Sequence, residues 1–186
     1  VLPYEEASKS PLIIYDPRTP KNIRGIRRET ITANIDLAPT ILTYAGIEVP
    51  ENMDGENLVP LVNNPKGIDR EFVALINMWG NDEIQEMSVV TKDWKYIYWQ
   101  YSDKRMQPTE ELFNIGKDQL EMKNLATNSK YAKKLEDMRK LYDERYTHLS
   151  NNVVDYNDYE KYKILFNPKA SSRDKKPFLT GTYEDE

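Results

Sequence analysis

The middle of this chain constrains its fold most. There "REFVALINMW" (70–79), "MSVVT" (87–91), "WKYIYWQY" (94–101) and "EELFNI" (110–115) follow one another with no helical pattern between them. These runs are rich in β-branched and aromatic residues, which favour extended backbone. "MSVVT" and "WKYIYWQY" flank Lys92-Asp93, which reads as the turn of a hairpin. Successive strands without crossover helices pair antiparallel, because parallel neighbours need a long return connection. The alternation of Trp94, Tyr96, Tyr98 and Trp99 predicts a sheet with both faces in contact with protein. Directly afterwards Tyr131, Leu135, Met138, Tyr142, Tyr146 and Leu149 recur at helical steps on a charged background. This predicts an amphipathic helix over about 129–149, laying one face on the sheet.

The first third reads differently. "PLIIYDP" (11–17) is a short apolar run between prolines and predicts a buried strand of an α/β sheet. A basic loop, "RTPKNIRGIRRET", follows it. Then "NIDLAPTILTYAGIEVP" (34–50) predicts a short helix, Leu37 to Ala45, with Ile35, Ala38, Ile41, Leu42 and Ala45 as its core face. Asp36 is the expected N-cap, and Pro39 falls in the first turn, where a missing N–H costs nothing. Gly46 is the expected stop and Pro50 prevents resumption. "PENMDGENLVPLVNNPKG" is punctuated by prolines and glycines, predicting an irregular connection with one helical turn at Leu58 to Val62. Beyond Ser150 the chain is polar, and only "YKILFN" looks anchored.

Charge and composition exclude several functions. An excess of 31 acids over 26 bases, net −5, argues against a nucleic-acid partner gripped by a broad basic surface. Without cysteine there is no disulfide framework, thiolate metal site or cysteine nucleophile. No apolar run approaches a membrane span. "VLPYEEASKS" lacks the pattern of a signal peptide and the chain starts without methionine, which suggests a piece of a longer protein.

The residues themselves offer little catalytic chemistry. His148, near the end of the amphipathic helix, has no nucleophile motif to serve and reads as a helix-terminal histidine favourable to the dipole. Lys21, Arg24, Arg27 and Arg28 either steer an anionic substrate or form a solvated loop. In "NMWGNDE" (77–83), Trp79, Gly80, Asn81 and Asp82 share a turn past a strand, suited to stacking on a sugar and hydrogen-bonding it. The alternative is a plain loop with a half-buried tryptophan.

Several of these pieces, in order and spacing, resemble the C-terminal third of the type I sulfatases of the alkaline phosphatase superfamily. They are "PYEEASKSPLIIYDP", "IDLAPTILTYAGIEVPENMDGENLVPLV", "TKDWKYIYW" and "EELFNIGKDQLEMKNLA", together covering roughly residues 3 to 126. Two departures occur inside the match: Gln119 replaces the family's proline after aspartate, and Val89-Val90-Thr91 stands where an arginine often precedes the "KYi" strand.

The resemblance implies an α/β fold class: residues 1–66 end a large alkaline-phosphatase-like domain, 67–150 form a small α+β C-terminal subdomain with one helix on an antiparallel sheet, and 151–186 form a polar arm or tail. It implies sulfate-ester hydrolysis by a formylglycine beside a calcium ion, neither of them expected in this chain, which has no Cys/Ser-x-Pro-x-Arg motif and no paired aspartates upstream. The catalytic and metal residues would then precede Val1, leaving Tyr4 and Glu5 near the missing centre and Trp79, Asn81 and Asp82 at the rim of a substrate pocket. The implied partners are the missing N-terminal catalytic portion and a sulfated small molecule or glycan, and the implied location is periplasmic or secreted. A non-catalytic carbohydrate- or protein-binding module, or a related phosphoesterase, is the alternative. Cut from its sheet, "PLIIYDP" would expose an apolar edge, so the piece is expected to need the rest of the domain or self-association to stay soluble.

Overall fold

The computed structural model describes residues 2–64, 70–100 and 109–180. Its helices are α1 (Glu5–Ser8), α2 (Leu37–Tyr44), α3 (Val59–Asn63), α4 (Ala132–Asn152), α5 (Tyr162–Leu165) and α6 (Ser172–Lys175). Its strands are β1 (Val73–Asn77), β2 (Glu86–Val90), β3 (Lys95–Trp99) and β4 (Thr109–Phe113), in the spatial order β1-β2-β3-β4. The chain divides into two compact units, Val1–Lys9 with Ala74–Glu186, and Ser10–Val73.

The sheet and its helix form where the sequence predicts them. β2 pairs antiparallel with β3, placing Met87 opposite Tyr98 and Val89 opposite Tyr96, and β3 pairs antiparallel with β4. The connecting turn closes with the Thr91 N–H donating to the Trp94 carbonyl at 2.8 Å. Because side chains alternate across a strand, one face carries Met87, Val89, Tyr96, Tyr98 and Leu112. Leu135, Met138 and Tyr142 of α4 are buried and pack on β2 and β3. The Tyr142 ring meets those of Tyr96 and Tyr98, each at 5.5 Å between centroids, contacts worth about 0.5–1.5 kcal/mol each beyond area burial.

The C-terminal arm closes over this side. Tyr162, Leu165 and Phe166 are buried, and the Tyr142 and Tyr146 hydroxyls donate to the carbonyls of Phe166 and Lys163 at 2.7 and 2.6 Å. "YKILFN" is therefore anchored as the sequence indicates. Further along, Lys175 is also buried. Residues 181–186 of the tail, Tyr101 of "WKYIYWQY" and the side chain of Glu83 lie outside the described residues.

In Ser10–Val73 the helix at 37–44 and the turn at 59–63 appear as expected, and α2 stops where Gly46, at φ +70°, lets Ile47 N–H reach the Leu42 carbonyl at 2.9 Å. Three expectations are corrected. "PLIIYDP" is not a strand, and its Ile13 and Tyr15 are 87% and 81% exposed. The described strands all belong to the β1–β4 sheet, so the run has no neighbour to satisfy its backbone. The apolar stripe of α2 is not buried in this chain: Ile35 and Ile41 are exposed while Asp36, Pro39 and Thr40 face inward. The inward side is fixed by hydrogen bonds, since the Leu58 N–H donates to Thr40 Oγ1 at 2.9 Å and the Glu56 N–H to Asp36 Oδ1 at 2.8 Å.

Finally, Asp36 does not cap α2. A 3₁₀ turn at Asn34–Asp36 leads into the helix, so Asp36 already has helical backbone angles and its carboxylate turns back instead. It accepts from the Ala33 N–H at 2.7 Å and from Arg70 Nη2 at 2.6 Å. Gly55 sits against this hub, where any Cβ would lie 2.0 Å from the Ile35 carbonyl oxygen.

Candidate functional site

The sheet face opposite α4 is polar for a buried surface. β2 contributes Glu86 and Ser88, β3 contributes Lys95, Ile97 and Trp99, and β4 contributes Glu111 and Phe113. Pro3, Tyr4 and Glu5 reach it. Tyr4 OH donates to Glu111 Oε2 at 3.1 Å, Trp99 Nε1 donates to the same oxygen at 2.9 Å, and the Tyr4 ring meets Phe113 edge-on at 6.1 Å. Burial, reinforced by the Glu111 carboxylate, pushes the Tyr4 hydroxyl up to about 12, so it stays protonated at neutral pH.

Beside it stands a buried ion cluster. Lys95 is fully buried, and its Nζ donates to the Pro3 carbonyl at 2.8 Å and lies 2.9 Å from Glu5 Oε1 and 2.9 Å from Glu121 Oε1. Glu121 Oε2 also accepts the Glu5 N–H at 2.5 Å. Glu121 takes a left-handed backbone conformation, φ +52°, which is uncommon for a residue with a Cβ. Two carboxylates and a carbonyl replace the water that the buried Lys95 side chain has lost. Tyr4 and Glu5 thus hold the first residues to the sheet. Nearby Glu86 is buried, and burial pushes its carboxyl up to about 8.

Trp79, Asn81 and Asp82 lie on a separate loop after β1. Trp79 and Asn81 are exposed. Asp82 is buried and faces the arm, its Oδ2 accepting from the Thr180 N–H at 2.7 Å and from Thr180 Oγ1 at 3.1 Å. The structure therefore brings Tyr4 and Glu5 together on one sheet face, and separates exposed Trp79 and Asn81 from inward-facing Asp82.

The remaining candidates take structural places. Arg24 donates to the Thr19 and Pro17 carbonyls, each at 2.6 Å, and Arg28 Nη1 to the Asn64 carbonyl at 2.8 Å, while Lys21 and Arg27 are exposed. His148 is exposed near the end of α4, its carbonyl accepting from Asn152 Nδ2 at 2.8 Å.

Residue types alone did not reveal Lys95, Glu121, Glu111 and Lys175. The available signal was a lysine inside a run of aromatic and β-branched strand residues, where a charge has to be either at an edge or paired. Calcium does not fit the side chains described: no three His, Asp or Glu residues converge on a common point among them. The chain also has no Cys/Ser-x-Pro-x-Arg motif from which a formylglycine could form.

An antiparallel four-stranded sheet with one long helix across it is the arrangement that the sequence resemblance implies for a sulfatase C-terminal region. Residues 2–148 match the family described as N-sulphoglucosamine sulphohydrolase, C-terminal, and the chain belongs to that family. It is 32% identical over 170 residues to an N-acetylglucosamine-6-O-sulfatase of Bacteroides thetaiotaomicron, covering 88% of this chain and 28% of that protein. It is 26% identical over 141 residues to an arylsulfatase of Clostridium perfringens, covering 75% of this chain and 28% of the relative. Among solved structures, a protein in complex with its substrate D-glucosamine-2-N,6-O-disulfate aligns with a TM-score of 0.54 and 26% identity, over 66% of this chain and 25% of the other. A 2-O GAG sulfatase aligns with a TM-score of 0.53 and 27% identity, over 75% and 28%. The chain thus spans 28% of the length of each of these two curated relatives.

Proposed function

We propose that this chain is the C-terminal portion of a sulfatase that hydrolyses sulfate esters of carbohydrate, with formylglycine and calcium supplied by residues outside it. The observation that carries this reading is the match over residues 2–148 to one sulfatase C-terminal family. Relatives named for glucosamine and hexuronate sulfates support carbohydrate as the substrate class. The partner of the chain is then the N-terminal catalytic portion. In Ser10–Val73 the exposure of Ile13, Ile41 and Ile47, at 87%, 65% and 55%, supports a covering partner, since apolar side chains gain from leaving water. Export to the periplasm or outside the cell belongs to the same proposal, and cell fractionation tests it.

The decisive experiment uses the intact protein. It should release sulfate from glucosamine 6-sulfate and from 4-nitrophenyl sulfate, and lose both activities when the Cys or Ser of a Cys/Ser-x-Pro-x-Arg motif is changed to Ala. A parent protein without such a motif, or one that turns over phosphate esters and no sulfate ester, overturns the reading.

A further inference from the structure

The loop that follows β1 holds an indole in water. Trp79 is 75% exposed, although tryptophan is among the most buried side chains on average and burying its ring would gain a few kcal/mol. A loose loop would let the ring fold back onto the protein, but this one is braced from several directions. The Asn77 side chain donates to the Ile84 carbonyl at 2.7 Å and accepts from the Trp79 N–H at 3.3 Å. Tyr162 OH donates to the Met78 carbonyl at 3.0 Å, and Gln100 Nε2 to the Asp82 carbonyl at 2.8 Å. Asp82 Oδ2 is held by Thr180. Gly80 adopts φ +89°, and a Cβ there would lie 2.6 Å from Ile84 Cδ1, so the turn beneath the indole depends on glycine.

We infer that this loop is a preformed sugar-stacking platform, in which the exposed face of Trp79 takes one pyranose ring of a glycan and the exposed Asn81 amide hydrogen-bonds its hydroxyls. A pyranose presents a flat C–H face flanked by hydroxyls, which matches an indole beside an amide. Bracing lowers the ordering cost of binding, because the loop does not have to be immobilised when ligand arrives. A net charge of −5 disfavours a nucleic acid, the other common ligand of an exposed aromatic. Asp82 positions the loop through Thr180 and does not touch the sugar. The inference rests on the carbohydrate reading above for its ligand class, and it deepens that reading by assigning a ring-binding site.

The test is tryptophan fluorescence of the intact protein, with unsulfated chitotetraose and a heparin tetrasaccharide as probes. Within this chain Trp99 is buried and Trp94 lies against Tyr131, so the difference in acrylamide quenching between wild type and Trp79→Phe isolates Trp79 in the intact protein. At least one probe should protect the fluorescence saturably. Trp79→Ala should weaken binding of that probe, followed by calorimetry, about tenfold, and Trp79→Phe should restore part of it. Asn81→Ala should produce a smaller loss. Equal affinity in Trp79→Ala, no binding of either probe, or a Trp79 already shielded from acrylamide without ligand each overturns the platform. Sulfate release is read separately, so a protein that binds glycan through Trp79 but hydrolyses no sulfate ester keeps the platform and loses the sulfatase reading.

Discussion

Lys175 Nζ donates to the Tyr98 hydroxyl at 2.7 Å and lies 4.9 Å from the centroid of the same ring. The lysine comes from α6 and the tyrosine from β3, so this contact pins the C-terminal arm to the helix-covered face of the sheet. Both partners are buried. Burial pushes the Lys175 ammonium down from its ordinary value near 10.5 to about 8.

That shift fixes the sign of a pH effect. Between pH of about 8 and about 10.5 the unfolded chain holds a proton on Lys175 that the native chain has lost, so this group makes the fold more stable as pH rises across that window. Below it the charged ammonium bears its full desolvation cost. Lys175→Met should abolish the increment, and the wild-type minus mutant difference in urea midpoint should rise from pH 7.5 to pH 10. A difference that stays flat means the ammonium is not desolvated in solution.

Glu86 gives the opposite slope. Burial raises its carboxyl from 4.5 to about 8, opposed by the nearby Ser88 hydroxyl and by the positive charge of Lys95. The native state keeps a proton that the unfolded state loses, so the contribution is full below pH of about 4.5 and is lost as pH rises through about 8. Glu86→Gln keeps the neutral shape without the titration. The variant should therefore gain thermal stability relative to wild type between pH 5 and pH 8, and a constant offset would refute this.

The Lys95 cluster predicts a large loss. Lys95→Met preserves length and apolar stem but leaves Glu5 and Glu121 facing each other in a buried site, a situation that costs about 3–5 kcal/mol. Adding Glu121→Gln should recover part of that loss, because it removes one of the stranded charges. Equilibrium unfolding of the intact protein measures both. If the double variant is as unstable as the sum of the singles, the two groups are not coupled.

The sheet and α4 could be read from the sequence because their signals are local: alternation along β2 and β3, and helical spacing from Tyr131 to Leu149. The roles of Asp36 and Asp82 could not. Asp36 meets Glu56 and Arg70, 20 and 34 positions away, and Asp82 meets Thr180, 98 positions away. A carboxylate before a helix looks the same in sequence whether it caps that helix or serves distant donors. "PLIIYDP" misled for a related reason. An apolar run is strand-like only by composition, and whether it becomes a strand depends on a neighbour that lies elsewhere. Of the site, the Trp79 turn was visible as a cluster of residue types, but which of its side chains faces water depends on the arm.

Asp36 provides a test inside Ser10–Val73. One fully buried carboxylate collects the Ala33 and Glu56 N–H groups and the Arg70 guanidinium, which also bonds Glu56 Oε1 at 2.9 Å. Asp36→Ala would strand two amides and leave the largely buried Arg70 with the exposed Glu56 carboxylate in place of its buried partner. Each unmet buried amide costs about 1–3 kcal/mol, and removing the partner of a buried charge costs about 3–5 kcal/mol. Asp36→Asn should be milder, since its one carbonyl oxygen still accepts a hydrogen bond and Arg70 keeps the exposed Glu56 carboxylate as a charge partner. Hydrogen exchange reads this directly. The Ala33 and Glu56 amides should exchange at least tenfold faster in Asp36→Ala than in wild type, with Asp36→Asn between the two. Unchanged exchange at both amides would mean that the carboxylate is not the hub of this unit.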